Sequence, residues 1–149
     1  MQHLKFTLPI TPTAQARAKV TVRGKYAHAY KDKNQKDNER TLEACLLQHK
    51  PSAPMTGPLV LEFVAALPIP KSVSKKARAA MLACEDYPAK KPDLDNLAKQ
   101  IEDAMTRLQF WGDDCQIVAL RCEKIYAESG YWQVSVYEAV RRMECQESR

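Results

Sequence analysis

The segment KPDLDNLAKQIEDAMTRLQ, residues 91–109, contains the clearest structural pattern in the chain. Its apolar residues recur every three or four positions, which is the spacing of an amphipathic helix with one buried face: Leu94, Leu97, Ile101, Ala104, Met105 and Leu108. Pro92 precedes this helix, so we expect the helix to start at Asp95 or Asn96. A helix of this kind requires a core to pack against.

The segments around this helix predict strands. Apolar and polar residues alternate within them, or they are rich in β-branched and aromatic residues. The predicted strands are Leu4–Leu8, Val20–Arg23, Lys25–Tyr30, Leu59–Ala65, 115–126 and 131–138. We expect the last two to form a hairpin across residues 128–130, and the second and third to form a basic hairpin around Gly24.

Two further helices are predicted. One runs over about residues 37–50 with Asn38 as its cap, and a short basic helix begins after Ser72 or Ser74 and ends near Ala83. Strands near both ends of the chain, with helices between them, indicate an α+β fold. We expect a single mixed or antiparallel sheet covered by helices on one face.

Length and composition favour one globular domain, residues 1–149. Hydrophobic residues make up 45% and charged residues 28% of the chain, close to globular averages. No apolar run approaches a membrane span and the start lacks a signal-peptide core, so we expect a cytoplasmic protein without membrane contact. The five cysteines never form a C-x-x-C pair, and we expect them to be reduced and mostly buried.

Net charge changes sign along the chain. Residues 1–50 carry +6, residues 51–91 carry +3 and residues 92–149 carry −4, which together give the +5 of the whole chain. A basic surface combined with a local carboxylate cluster is typical of a protein that holds a polyanion and a cation together. Ordinary solvated surfaces give the same pattern. The spacing of the acids has to distinguish such a surface from a cation site.

Two acids, Asp93 and Asp95, flank Leu94 at the start of the long helix. If Leu94 turns inward to the core, both carboxylates can face out of the same turn and converge on one ion. Mg²⁺ prefers hard oxygen ligands and retains several waters, so two or three carboxylates suffice. A helix N-terminus also favours a carboxylate as a simple cap, and spacing alone makes capping the stronger interpretation of Asp95.

Lys99 follows Asp95 by four residues, and Asp103 follows Lys99 by four, so all three share one side of the helix. They form either a salt-bridge ladder or a site in which the Lys99 ammonium lies beside a metal and steadies a phosphate. Asp113 and Asp114 form a turn before the next strand. A turn needs only one such acid, so the second is a candidate third ligand.

Other site motifs are excluded because the sequence lacks residues that they require. Residues 93–97 begin like an EF-hand loop, but Leu97 and Ala98 occupy the places of a third oxygen ligand and of the required glycine. The sequence has no glycine-rich phosphate loop, no G-x-S-x-G elbow and no Cys/His pairing that would license nucleophilic catalysis. A carboxylate site is the remaining candidate.

Two sequence blocks together resemble a known family. Lys91–Lys99 with Asp103, followed by Phe110–Val118, closely resemble the RusA-type Holliday junction resolvases, small enzymes common on bacterial prophages. The resemblance is strong over residues 91–126 and looser in the first strand and in residues 59–70. It implies a RusA-like fold and a homodimer.

The resemblance also implies a function. It indicates a Mg²⁺-dependent endodeoxyribonuclease, with Mn²⁺ as a possible substitute, that binds four-way (Holliday) DNA junctions and cuts two strands symmetrically by phosphodiester hydrolysis in DNA recombination and repair. Carried over position by position, the metal ligands are Asp93, Asp95 and Asp114, and the catalytic lysine is Lys99.

Further lysines are candidates for binding DNA phosphates: Lys71, Lys75, Lys76, Lys90 and Lys91. A two-fold dimer would match the symmetry of a junction, and we expect the apolar, aromatic strands near Trp132 to supply its interface. Two alternatives stay open. One is a junction or single-strand DNA-binding module without catalysis, and the other is a metal-dependent nuclease that acts on other DNA or on RNA.

Overall fold

Six strands and three helices make up the part of the chain that the computed structural model describes, residues 2–15 and 19–140. In chain order they are β1 (His3–Leu8), β2 (Lys19–Arg23), β3 (Tyr26–Tyr30), α1 (Lys33–Leu47), β4 (Leu59–Pro68), α2 (Lys75–Leu82), α3 (Leu94–Arg107), β5 (Ile117–Ala127) and β6 (Tyr131–Glu138). A short 3₁₀ turn, Asp114–Gln116, precedes β5. The predicted α+β class is confirmed.

Four strands form one mixed sheet in the order β1-β6-β4-β5. β6 is antiparallel to both of its neighbours, whereas β5 runs parallel to β4. β4 lies inside the sheet and most of its side chains are buried, as expected for a strand whose sequence is a nearly continuous apolar run. β2 and β3 form a separate two-stranded sheet around Gly24, which confirms the predicted basic hairpin.

The predicted hairpin between the last two strands is wrong. β4 lies between β5 and β6, and its Leu61 is in register with Leu120 on one side and with Val136 on the other. The connection at residues 128–130 passes the end of β4, where the Ile69 N–H donates to the carbonyl of Ala127 (3.0 Å). A short connection favours a hairpin locally, but the most apolar strand takes the interior position because both of its faces are then buried.

α1 and α3 pack on one face of this sheet and form the main core with it. Leu42 and Leu46 come from α1, and Leu97 and Ile101 come from α3. Trp132 belongs to the same core: it is 1% exposed and lies edge-on to Phe63, with ring centroids 5.5 Å apart. Its indole is therefore already buried inside the monomer, and the expectation that the strands near Trp132 supply a dimer interface stays a prediction.

The helices begin close to their predicted positions except for α1. The sequence predicted a start near residue 37 with Asn38 as the cap, whereas α1 begins at Lys33. No apolar residue precedes Leu42 in this helix, so apolar periodicity does not reveal its first turns. α2 begins after the predicted cap Ser74, and α3 begins one residue before its predicted start.

The cysteines in the described ranges are free thiols, but the expected burial is wrong. Cys45 and Cys122 are half-buried, and Cys84 and Cys115 are exposed. Cys145 lies outside the described residues. Within the described ranges, no helix is both long enough and apolar enough to cross a membrane.

Candidate active site

The carboxylates of Asp93 and Asp95 lie exposed at the amino-terminal end of α3. Asp93 is the N-cap residue, but its side chain makes no cap hydrogen bond, and Asp95 belongs to the first turn. One long hydrogen bond reaches Asp93, from the side-chain amide of Asn96 (3.4 Å). Leu94 between the two acids is half-buried and packs against the core. Neither carboxylate acts as a cap, and both lie at the positive end of the helix dipole.

A lysine on β5 holds the loop that precedes α3 in place. Lys124 donates from Nζ to the carbonyls of Lys90 and Pro92, each at 2.9 Å. Together with Asp93 and Glu123, Lys124 lines an open groove at the start of the helix. Sequence reasoning missed Lys124. The only sign of it in the sequence was a positively charged residue among the β5 side chains that face the helices.

The adjacent acids Asp113 and Asp114 have different surroundings. Asp113 accepts a hydrogen bond from the Cys115 N–H (2.9 Å), and Gln116 accepts one from the Asp113 N–H (3.1 Å), which closes the 3₁₀ turn. The Cys115 N–H holds the pKa of Asp113 below its ordinary value. Asp114 is exposed and forms no ion pair within the described part of the chain. Asp113 therefore closes the turn, and the carboxylate of Asp114 is available to bind a ligand.

Asp114 influences the electrostatics of the middle of α3. Burial, followed by the charges of Asp114 and Asp103, raises the pKa of Glu102 above its ordinary value. Glu102 lies seven residues after Asp95, about 10 Å along the helix axis. Sequence reasoning missed Glu102, although its spacing of seven from Asp95 and three from Lys99 places it on the same stripe of the helix.

Lys99 lies on the exposed side of α3 between these two acidic groups. The salt-bridge ladder that its spacing allowed is not made, because among the described residues Lys99 pairs with neither Asp95 nor Asp103. An ammonium group without a fixed partner is available to bind a phosphate oxygen. Lys99 thus lies one helical turn after Asp95 with its ammonium exposed and in no ion pair with a described residue.

The three acids carried over from the resemblance do not close into one preformed metal site. Across residues 2–15 and 19–140, no group of three or more Asp, Glu, His or Cys side chains is arranged to hold a metal ion. Asp93 and Asp95 lie at the start of α3, and Asp114 acts on Glu102 two turns further along. The donors nevertheless fit Mg²⁺ in their chemistry, because they are exposed carboxylates and this ion keeps part of its water shell.

The direction of the Glu102 pKa shift supports the same fit. The raised pKa reflects burial and the negative charges of Asp114 and Asp103, and Glu102 forms no ion pair with a described residue. A bound divalent cation is the largest local charge in such a site and reverses this effect. The raised pKa of Glu102 thus marks uncompensated negative charge at this part of α3.

A segment from the start of the chain also reaches the acid pair. The Gln15 N–H donates to the carbonyl of Asn96 in the first turn of α3 (3.3 Å). The side-chain oxygen of Gln15 is buried and accepts no hydrogen bond from the described residues. Gln15 thus places a further oxygen of the kind that Mg²⁺ accepts near the start of α3.

The candidate DNA-binding lysines form two groups. All are exposed, and none pairs with an acid in the described ranges: Lys71, Lys75, Lys76, Lys90 and Lys91. The first three lie at and just before the start of α2, which packs beside β5. The other two line the same groove as Asp93. Both groups therefore lie on elements that contact β5. α2 contacts the strand directly, and the loop before α3 contacts it through Lys124.

Comparison with known proteins identifies the family. A family model described as Endodeoxyribonuclease RusA matches residues 9–137, which include both acidic blocks and Lys99. The chain belongs to the RusA family. The resemblance found in the sequence is thereby confirmed, and the family is one of endodeoxyribonucleases.

Two relatives of this RusA-family chain differ in how much of it they cover. The Bacillus subtilis (strain 168) protein named Uncharacterized protein YqaN is 32% identical over 144 residues, which span 93% of this chain and 98% of the relative. Crossover junction endodeoxyribonuclease rusA of Lactococcus phage r1t is 42% identical over 48 residues, which span 32% of this chain and 37% of the relative. The first similarity extends over nearly the whole chain, and the second is confined to one segment.

Proposed function

We propose that this RusA-family chain is a Mg²⁺-dependent, structure-selective endodeoxyribonuclease that resolves four-way DNA junctions by paired phosphodiester hydrolysis. The observation that carries the proposal is the start of α3, where Asp93 and Asp95 expose carboxylates that do not cap the helix. Lys99 follows one turn later. Family membership supports the class of reaction.

In this proposal each acid has its own position. Asp93 and Asp95 bind the metal from the start of α3, and Asp114 binds it from the turn before β5. When bound, Mg²⁺ lowers the pKa of a water molecule and neutralises charge on the phosphate. Lys99 places its ammonium against a phosphate oxygen and stabilises the charge that develops in the transition state. Lys124 acts as a positioning residue, since it holds the backbone just before Asp93.

The substrate is held by charge over a wider surface. The lysines around α2 and before α3 bind phosphates of the duplex arms, so the affinity for DNA falls steeply as the salt concentration rises. Such contacts give position rather than sequence preference. A homodimer with two-fold symmetry presents two sites to the two strands that are cut.

Cleavage of a synthetic four-way junction by Asp95→Asn tests the proposal. We expect the variant to lose cleavage in Mg²⁺ but to retain junction binding in Ca²⁺, because Asn keeps the size of the side chain and removes the charge that holds the ion. Asp37→Asn, at an exposed acid on α1, is the matched control and should cleave like the wild type. Normal cleavage by Asp95→Asn would overturn the proposal.

The same assays separate the two alternatives. A wild-type protein that binds the junction tightly but neither cleaves it in Mg²⁺ or Mn²⁺ nor binds Mn²⁺ in calorimetry is a binding module. A protein that cleaves linear duplex or RNA faster than a junction is a nuclease with a different substrate. Either result would replace junction resolution as the function.

A further inference from the structure

The β2–β3 hairpin contributes no side chain to the core. Every residue of both strands is exposed, and Gly24 makes the turn with φ of +64°. A two-stranded hairpin by itself is marginally stable in water. Large apolar side chains left exposed together on one element indicate an interaction surface.

The register divides the hairpin into two faces, because directly opposed residues point to the same side. One face, here called the tyrosine face, carries the pairs Lys19 with Tyr30, Thr21 with His28, and Arg23 with Tyr26. The other face carries Val20, Val22, Ala27 and Ala29. All the aromatic and charged side chains of the two strands therefore lie on a single face.

The tyrosine face has positive charge that the described part of the chain does not compensate. Residues 19–36 contain six Lys or Arg and one acid, Asp32. Lys19 pairs with Asp32 at 3.1 Å, and Lys31 pairs with Glu39 at 2.9 Å. Arg23 and Lys25, at the tip, form no ion pair with a described residue. A polyanion is the partner that complements this charge.

The exposed tyrosines distinguish one kind of polyanion. Tyr26 is 73% and Tyr30 is 48% exposed. Aromatic rings beside cations bind nucleic acids by stacking on bases that are not already stacked within a helix. In duplex DNA the bases stack on one another, so a base exposes its face only at an end or at a branch point. The tyrosine face therefore fits a branch point better than a duplex arm.

The hairpin starts within reach of the candidate active site. Gln15 is hydrogen-bonded to Asn96 in the first turn of α3. Lys19 begins β2 only four residues later, which limits the distance between Gln15 and Lys19 to about 14 Å. The chain thus keeps the base of the hairpin within about 14 Å of Gln15, which is bonded to the first turn of α3.

We propose that the tyrosine face of the β2–β3 hairpin binds DNA at the branch point of a junction. Arg23 and Lys25 contact phosphates, and Tyr26 stacks on a base that is unstacked at the crossover. This inference rests on the proposed function. It assigns recognition of the branch to the hairpin, whereas the lysines of α2 and of the loop before α3 hold the arms.

Binding of the full-length protein to a four-way junction in Ca²⁺ tests this inference, with 2-aminopurine placed at the branch point. We expect Tyr26→Ala to weaken junction binding by about 5- to 100-fold and to leave the affinity for linear duplex within about twofold. Tyr26→Phe should restore binding, because it keeps the ring. The wild type should change the 2-aminopurine fluorescence, and Tyr26→Ala should not.

Two further variants control for charge and for the fold of the hairpin. Arg23→Gln should lower the slope of log Kd against log salt by about one, as expected for one lost phosphate contact. Val22→Thr, on the opposite face of the same strand, should bind like the wild type. A Val22→Thr variant that binds as weakly as Tyr26→Ala would overturn the assignment to the tyrosine face.

The outcomes also separate this inference from the proposed function. If the wild type cleaves the junction and Tyr26→Ala binds it unchanged, the hairpin inference is overturned and the nuclease stands. If Tyr26→Ala loses junction binding but the wild type never cleaves, the nuclease is overturned and the hairpin inference stands.

Discussion

Glu62 on β4 and Glu102 on α3 have opposite electrostatic environments. Glu62 accepts hydrogen bonds from the Tyr137 hydroxyl and the Arg121 guanidinium, both at 2.7 Å, and these contacts, Tyr137 above all, lower its pKa. Glu102 is partly buried, and this burial together with the charge of Asp114 raises its pKa. The first charge is compensated inside the fold, and the second is not.

This difference separates a structural cluster from a candidate functional one. The Glu62 cluster lies in a cleft on the sheet that also contains a hydrogen bond between His3 and Ser135 (2.8 Å). Its polar groups satisfy one another, so the cluster stabilises the fold without a ligand. The acids along α3 form no ion pair with any described residue. Carboxylates whose negative charge is not compensated by other groups of the protein mark a candidate functional site.

The largest effect should come from an acid in the uncompensated group. We expect Asp114→Asn to slow single-turnover junction cleavage roughly a thousandfold, because a lost metal contact removes several kcal/mol of transition-state stabilisation. Asp113→Asn is the matched control at the neighbouring position. Its amide oxygen can still accept from the Cys115 N–H, so cleavage should stay near the wild-type rate. Equal losses in the two variants would contradict the distinction between turn and site.

Lys99 should have the next largest effect. We expect Lys99→Gln to reduce single-turnover cleavage by about 100-fold, as observed when one transition-state contact is removed from an active site. Junction binding in Ca²⁺ should change much less, because the contact matters most in the transition state. Lys50→Gln, at an exposed lysine beyond the end of α1, controls for loss of one charge. An unchanged rate in Lys99→Gln would remove this lysine from the mechanism.

The compensated cluster should affect stability rather than cleavage. We expect Tyr137→Phe to lower the free energy of unfolding at pH 7 slightly, because one hydrogen bond to the partly exposed Glu62 carboxylate is lost. Because the folded pKa of Glu62 is lowered, its contribution is present above about pH 4.3, the ordinary value, and is lost as the pH falls through the folded pKa.

Urea unfolding of both proteins between pH 3 and pH 8 measures this difference, which should shrink toward the acid end. Junction cleavage by Tyr137→Phe should stay at the wild-type rate. A loss of cleavage without a loss of stability would instead place Tyr137 in the functional site.

The features that the sequence predicted depend on local spacing. α3 follows from the periodicity of Leu94–Leu108, and the two acids at its start follow from their positions beside Leu94. The 3₁₀ turn at Asp113 is likewise closed by hydrogen bonds between residues no more than four apart, although Gln116 also donates to the distant carbonyls of Met55 and Gly57. Such features need no knowledge of which distant segments meet.

The features that the sequence did not predict depend on the pairing of distant segments. β4 is inserted between β5 and β6, although the short connection between them favours a hairpin. Lys124 contacts a carbonyl 34 residues away, and Glu102 is shifted by an acid on a separate turn. Strand order is set by burial of whole faces, which local periodicity does not encode. The site residues that were missed lie where these elements meet.

The smallest effect should be the stabilisation of the metal-free protein by Glu102→Gln. The folded pKa of Glu102 is raised, so the folded state favours the protonated carboxyl, and stability is lost as the pH rises through that pKa. Urea unfolding without metal should give similar free energies for variant and wild type near pH 4, and roughly 0.5 kcal/mol more for the variant at pH 7. Added Mg²⁺ should cancel this advantage, because a cation compensates the charge that Gln removes. A variant that is less stable at pH 7 would mean that Glu102 has a stabilising partner, which would end its contrast with Glu62.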